Sequence, residues 1–159
     1  MPLNVKTKLH TKIYQYEDDL IESYLKHKMV WVKKATGLGI TEITIRFIAW
    51  MCVKDDEFRD NQIDVSVVIF TGTRTRLAVQ IIERLKGLFI GHIFEERETI
   101  GYVNGAKIES FPSSSTETAR GLNPFIVFMD EGDFFEKNEQ EEARTTAERY
   151  IIKTHPYII

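Results

Sequence analysis

The stretch VWVKKATGLGITE, residues 30–42, decides how this chain is read. An apolar β-type run (Met29 to Val32) leads into two lysines and a turn with Gly37 and Gly39, and from Thr41 a helical pattern begins. Strand, glycine turn, helix is the order in which α/β proteins aim backbone N–H groups at a phosphate. The usual form of such a loop is G-x-x-x-x-G-K-[ST]. Laid on Lys34-Ala35-Thr36-Gly37-Leu38-Gly39-Ile40-Thr41, it keeps the second glycine and the threonine. Ile40 fills the lysine position, and Lys34 the first glycine position. A lysine at the loop entrance can still curl back toward the β- and γ-phosphates, because the loop wraps around them. On this reading the N–H groups of Gly37 through Thr41 cradle phosphate oxygens, and the Thr41 hydroxyl goes to magnesium. Taken alone, the same glycines also make an ordinary turn between a strand and a helix.

A second motif lies far along the chain. FIVFMDE, residues 125–131, is an apolar run ending in two adjacent carboxylates. An aspartate there, Asp130, can hold a magnesium ion, and Glu131 can polarise a water for in-line attack on a γ-phosphate. Two acids after five apolar residues can also simply open a helix. The two motifs stand in the right order, each at the C-terminal end of an expected strand, which is the edge where open α/β sheets bind ligands.

The remaining pattern supplies the scaffold. Leu20, Ile21, Tyr24 and Leu25 mark one face of a helix with early carboxylates and late lysines. A helix from Thr41 to about Val53 carries apolar residues on more than one side (Ile43, Phe47, Trp50, Met51), so it is expected to be well buried. DVSVVIFTG (64–72) reads as a β-branched strand, and Ala78, Ile81, Ile82 and Leu85 as the next helix face. TIGYVNGAKIESF predicts a hairpin, since Asn104-Gly105 supplies the positive φ angles of a two-residue turn. PSSSTETARGLNP reads as a loop, and a polar helix is expected from about Glu136 to Tyr150. Trp31 and Trp50 read as core, and Asp133 as a cap for the last helix or a partner that orients an arginine. Strands alternating with helices predict an α/β fold with a mainly parallel sheet.

Composition bounds the possibilities. The chain has 159 residues, enough for one domain, with 43% hydrophobic and 28% charged residues, which excludes a disordered chain. A net charge of -3 means that any nucleic-acid contact needs a local basic patch. Arg74, Arg76, Arg84 and Lys86 could supply one to a phosphate backbone, or form a solvated helix face. The single cysteine, Cys52, lies in an apolar helical pattern and reads as an inert buried thiol. The four histidines have no zinc-like spacing. No apolar run reaches membrane-spanning length and the N-terminus has no apolar signal core, so a cytoplasmic protein without a membrane partner is expected.

KATGLGIT resembles the deviant loop of large terminase subunits, the ATPases that drive DNA into viral capsids, many of which carry a K-A-R-Q-x-G-[IKF]-[ST] pattern. The resemblance implies a P-loop NTPase fold of the RecA-like (ASCE) kind, with ATP and Mg2+ as cofactors and Lys34 as the relocated lysine. It implies an adenine contact from Gln15, with Tyr14 and Tyr16 beside it. SSSTETARGLNPFIVFMDE resembles the family's serine-rich stretch, Arg-Gly pair and acidic strand. Arg120 then matches the arginine that acts across a subunit boundary on a neighbour's γ-phosphate, although a surface arginine in a loop would look the same. The implied partners are double-stranded DNA, further copies of the chain in a ring, and a capsid portal, in a virus- or prophage-encoded protein acting in its host's cytoplasm. Thr36 and Gly37 depart from the family's Arg-Gln. The 159 residues match a single N-terminal ATPase domain without the nuclease domain. They are expected to end, at HPYII, where the family begins a strand that lies between the loop strand and the acidic strand, which leaves the domain incomplete. A helicase-like P-loop ATPase and a non-catalytic remnant serving as a nucleotide-binding or interaction module are the alternatives.

Overall fold

The computed structural model describes residues 12–35, 37–53, 66–115, 122, 124–149 and 157–159. Among the described residues there are four α-helices: α1 (Gln15–Lys26), α2 (Ile40–Val53), α3 (Thr75–Lys86) and α4 (Lys137–Glu148). The six strands are β1 (Ser66–Thr71), β2 (Glu95–Arg97), β3 (Ile100–Val103), β4 (Ala106–Pro112), β5 (Pro124–Met129) and β6 (Tyr157–Ile158). They form one mixed sheet in the order β2-β3-β4-β1-β5-β6. The four strands β4, β1, β5 and β6 run parallel, and β2-β3-β4 is an antiparallel meander at one side.

β1 is buried along its whole length, as a central parallel strand covered on both faces must be. One face packs Val67, Ile69, Ile108, Ile126 and Phe128 against α1, α2 and α3 through Tyr24, Phe47, Ile48, Ile82 and Leu85. The other face packs Val68, Phe70 and Val127 against Ala143 and Ala147 of α4. The all-round apolar character of α2 is explained by this placement: eight of its residues are buried. Tyr24 fixes α1 to α2, since its hydroxyl meets Thr44 Oγ1 at 2.9 Å inside the core. Burial pushes that phenol up to about 12, against the opposing hydrogen bond with Thr44. Burial likewise pushes the Cys52 thiol up to about 12, in keeping with an inert core cysteine.

The Asn104-Gly105 turn has both residues at positive φ, 49° and 79°, as its two-residue length requires. Four expectations are corrected. Among the described residues the run 29–32 contributes only one isolated β-bridge, Met29 with Ile158, made by the bonds from Val30 N–H to the Ile158 carbonyl and from Ile158 N–H to the Lys28 carbonyl. Trp31 is therefore not core. It is 64% exposed, because the chain has left the sheet edge by that residue and no layer covers it. The N-cap position of α4 is Glu136, whose backbone N–H donates to Glu139 Oε2 at 3.2 Å, and Asp133 lies upstream in the 3-10 turn Gly132–Phe134. On α1, Leu25 is 45% exposed, which narrows the buried face to Tyr24 with Leu20 and Ile21 beside it. Sequence patterning also missed β2, whose three residues Glu95, Glu96 and Arg97 are all exposed and carry no apolar alternation.

Gly101 of β3 leaves room for the Phe94 ring, which stacks on Phe89 at 5.2 Å, and a Cβ at position 101 would overlap that ring. Gly101→Ala is expected to destabilise the domain by about 1–3 kcal/mol through overpacking. A denaturant midpoint equal to the parent's would show that Phe94 does not pack there.

Candidate functional site

Register sets the site. Phe70 pairs with Met129 and Thr71 with Pro112, so β1, β4 and β5 end level with one another. The backbone N–H of Asp130 donates to the Phe70 carbonyl at 2.9 Å, which holds the first acid against the end of β1. On the same edge α2 begins at Ile40, one residue earlier than the periodicity predicts, after Gly37 and Gly39 at φ 87° and 72°. Both glycines adopt left-handed backbone, which residues with a Cβ rarely do. The Ile43 N–H donates to the Gly39 carbonyl at 3.0 Å and closes the first helical turn. The amides ahead of it have no helical carbonyl to reach.

The two motifs meet here. Thr41 Oγ1 donates to Asp130 Oδ1 at 2.7 Å, across 89 residues of sequence. Lys34 Nζ donates to Thr41 Oγ1 at 3.3 Å. A cation, a hydroxyl and a carboxylate are thus joined by two successive hydrogen bonds, with Lys34 exposed and Thr41 and Asp130 half-buried. Glu131 follows in left-handed backbone, φ 54° and ψ 40°, and is exposed. For a glutamate this conformation is costly, and such strain collects at working sites. A cleft of about 410 Å3 opens beside these residues, lined by Thr41, Asp130 and Glu131 on one side and Thr71, Gly72 and the Leu77–Arg84 face of α3 on the other. Its size lies within the roughly 300–1,000 Å3 usual for small-ligand sites.

The aromatic segment upstream of the loop is adjacent to it. The Tyr16 hydroxyl donates to the Leu38 carbonyl at 2.9 Å, and the Tyr14 and Tyr16 rings stack at 5.7 Å. Gln15 is exposed at the start of α1, and its amide nitrogen donates to Asp19 Oδ1 at 3.0 Å. Ala35, Gly37 and Leu38 line the exposed loop, whereas Thr36 and Arg120 lie outside the described residues. Of the four basic residues around α3, two are engaged: Arg84 Nη2 with Glu42 Oε2 at 2.8 Å and Lys86 Nζ with Glu96 Oε1 at 2.6 Å. Arg74 and Arg76 are exposed at the start of α3.

Glu42 was not foreseen. Its other oxygen accepts from Arg46 Nε at 2.8 Å. Partial burial by itself would raise the Glu42 carboxyl, but the hydrogen bonds and charges of Arg84 and Arg46 outweigh it and hold the carboxyl below its ordinary value. The Glu42–Arg46 half was legible as a helical i,i+4 pair. The Arg84 half depends on where α3 packs and has no sequence signal.

No protein-family model and no curated protein matches the chain.

Glycine at position 131 removes the left-handed penalty of about 1–2 kcal/mol but adds unfolded-state entropy of about 0.5–1 kcal/mol. Glu131→Gly is therefore expected to melt at or slightly above the parent temperature. A clear drop in melting temperature would mean that the Glu131 side chain holds the fold rather than serving the cleft.

Proposed function

We propose that this chain is a Mg-ATP-binding and hydrolysing domain of the P-loop type, working as the motor portion of a large terminase subunit-like protein that drives double-stranded DNA into a capsid. One observation carries the ATP reading: the hydrogen-bonded series Lys34–Thr41–Asp130, in which the relocated lysine of the glycine loop and the acid of the distant strand share one hydroxyl. The strand order adds support. β6 lies between Met29 and β5, parallel to both, where the resemblance expects a strand between the loop strand and the acidic strand.

The donor set suits magnesium. Thr41 and Asp130 offer two hard oxygen ligands 2.7 Å apart. Among the described residues no group of three or more His, Cys, Asp or Glu converges as an all-protein metal cage would. Magnesium typically takes one or two protein oxygens and completes its shell with phosphates and water. When bound, the ion would neutralise charge developing on the phosphates. Thr41 and Asp130 would hold it, Lys34 and the loop amides would bind the β- and γ-phosphates, and Glu131 would orient and deprotonate the attacking water. The Tyr14–Tyr16 pair, next to the loop through the Leu38 carbonyl, offers a flat face for adenine near Gln15. Arg120 acting on a neighbouring subunit, the ring, the DNA and the portal rest on the family resemblance alone. Among the described residues no helix is long and apolar enough to cross a membrane.

Calorimetric titration with Mg-ATP tests the reading. The parent is expected to bind, Lys34→Ala to weaken binding at least tenfold, and Glu131→Gln to keep binding while hydrolysis falls about 100-fold or more. A parent that takes up no Mg-ATP at millimolar concentration would overturn the ATP reading and favour a non-catalytic interaction module.

A further inference from the structure

The cleft beside Thr41 and Asp130 has a chemistry that the loop motif does not account for. Three of its lining residues are carboxylates, Glu83, Asp130 and Glu131, and one is a cation, Arg84. Leu77, Gln80, Ile81 and Arg84 recur at helical spacing, so one face of α3, with Glu83 beside it, forms the wall opposite Asp130 and Glu131. In the ligand-free arrangement Arg84 is tied to Glu42, the residue after Thr41.

Resting on the nucleotide reading, we propose that Arg84 is a phosphate-contacting arginine supplied by the same chain, parked on Glu42 until the terminal phosphate enters the cleft. The parking is built to be reversible. Arg84 and Glu42 are both about two-fifths exposed, 43% and 40%, and a pair this open to water contributes little, so exchanging the carboxylate for a phosphate is easy. Glu42 is not stranded by the exchange, because its other oxygen remains on Arg46 at 2.8 Å. The planar guanidinium suits a phosphate at least as well as a carboxylate, since both accept its paired N–H groups. A charge delivered from α3 would approach the terminal phosphate from the side of the cleft away from Lys34.

Binding discriminates this role from a merely structural ion pair. The probes are the non-hydrolysable β,γ-imido analogue of ATP and ADP, each with magnesium, titrated into the parent, Arg84→Ala, Arg84→Lys, Glu42→Gln and Lys34→Ala, with melting temperatures measured alongside. Arg84→Ala is expected to weaken the triphosphate at least tenfold and ADP less than threefold, and Arg84→Lys to restore part of the difference. Glu42→Gln is expected to act in the opposite sense, tightening the triphosphate a few-fold by freeing Arg84. If Arg84→Ala and Glu42→Gln shift both nucleotides alike, or lower the melting temperature without changing the triphosphate preference, Arg84 is structural and the proposal is wrong. If the parent binds neither nucleotide, or Lys34→Ala binds them as the parent does, the nucleotide reading fails first and takes Arg84's role with it. That failure appears in the parent and the Lys34 variant, not in the Arg84 series.

Discussion

The hydrogen bond from Thr41 to Asp130 is the contact on which this architecture turns. It joins the first turn of α2 to the end of β5, and it forms only if two independent parts of the fold arrive correctly. The parallel register must bring the end of β5 level with the end of β1, which the Asp130 N–H to Phe70 carbonyl bond secures. The helix α2 must also start at the same edge, pinned from behind by the Tyr24–Thr44 contact and by the Thr44 hydroxyl on the Ile40 carbonyl at 2.8 Å. A slip of either element would move a polar group off the edge and leave a half-buried partner without its hydrogen bond.

Lys34 is held from a different side than a lysine at position 40 would be. A lysine at the helix start would be positioned by α2 itself. Lys34 is instead positioned by the strand side of the loop, where residues 28–30 meet Ile158 through two backbone bonds, Val30 N–H to Ile158 O and Ile158 N–H to Lys28 O. The reach of the cation to Thr41 therefore depends on the sheet edge, and Ile40 is released for partial burial at the helix start. Tyr16 closes the arrangement from a third direction by holding the Leu38 carbonyl. The loop is thus tied through α1, α2 and β6, although its described residues Lys33, Lys34, Ala35, Gly37, Leu38 and Gly39 are exposed.

Glu42 shows how charge adds to packing in connecting the candidate site to its surroundings. One carboxylate, directly after the hydroxyl that meets Asp130, accepts from Arg46 on its own helix and from Arg84 on α3. This adds an electrostatic contact between the α3 wall of the cleft and the start of α2 to the apolar packing that the two helices share in the core. Such contacts respond to an incoming charge far more readily than packed side chains do, because each is partly solvated and replaceable.

Much of this was legible in the amino-acid order. Apolar and β-branched runs located β1 and β5, helical spacing located α1, α2 and α3, and a polar stretch after the acidic pair located α4, because these signals depend on neighbours only a few residues away. The hairpin followed from Asn104-Gly105, and the glycine turn from Gly37 and Gly39, since positive φ is a property of the residue itself. Motif order had also singled out Lys34, Thr41 and Asp130, which the fold brings together, and Glu131 beside them. Tertiary structure alone decided the rest. β2 has exposed charged residues and forms because β3 offers it an edge, so no local pattern announced it. Trp31 is apolar yet exposed, because its burial depended on strand pairing that ends at Val30. The meeting of Glu42 with Arg84, 42 residues apart, depends on how α3 packs beside α2. Local sequence determines what each segment can become and which atoms it carries. Which of those atoms share an edge is decided by sheet register and helix packing, which act between segments that the linear order keeps far apart.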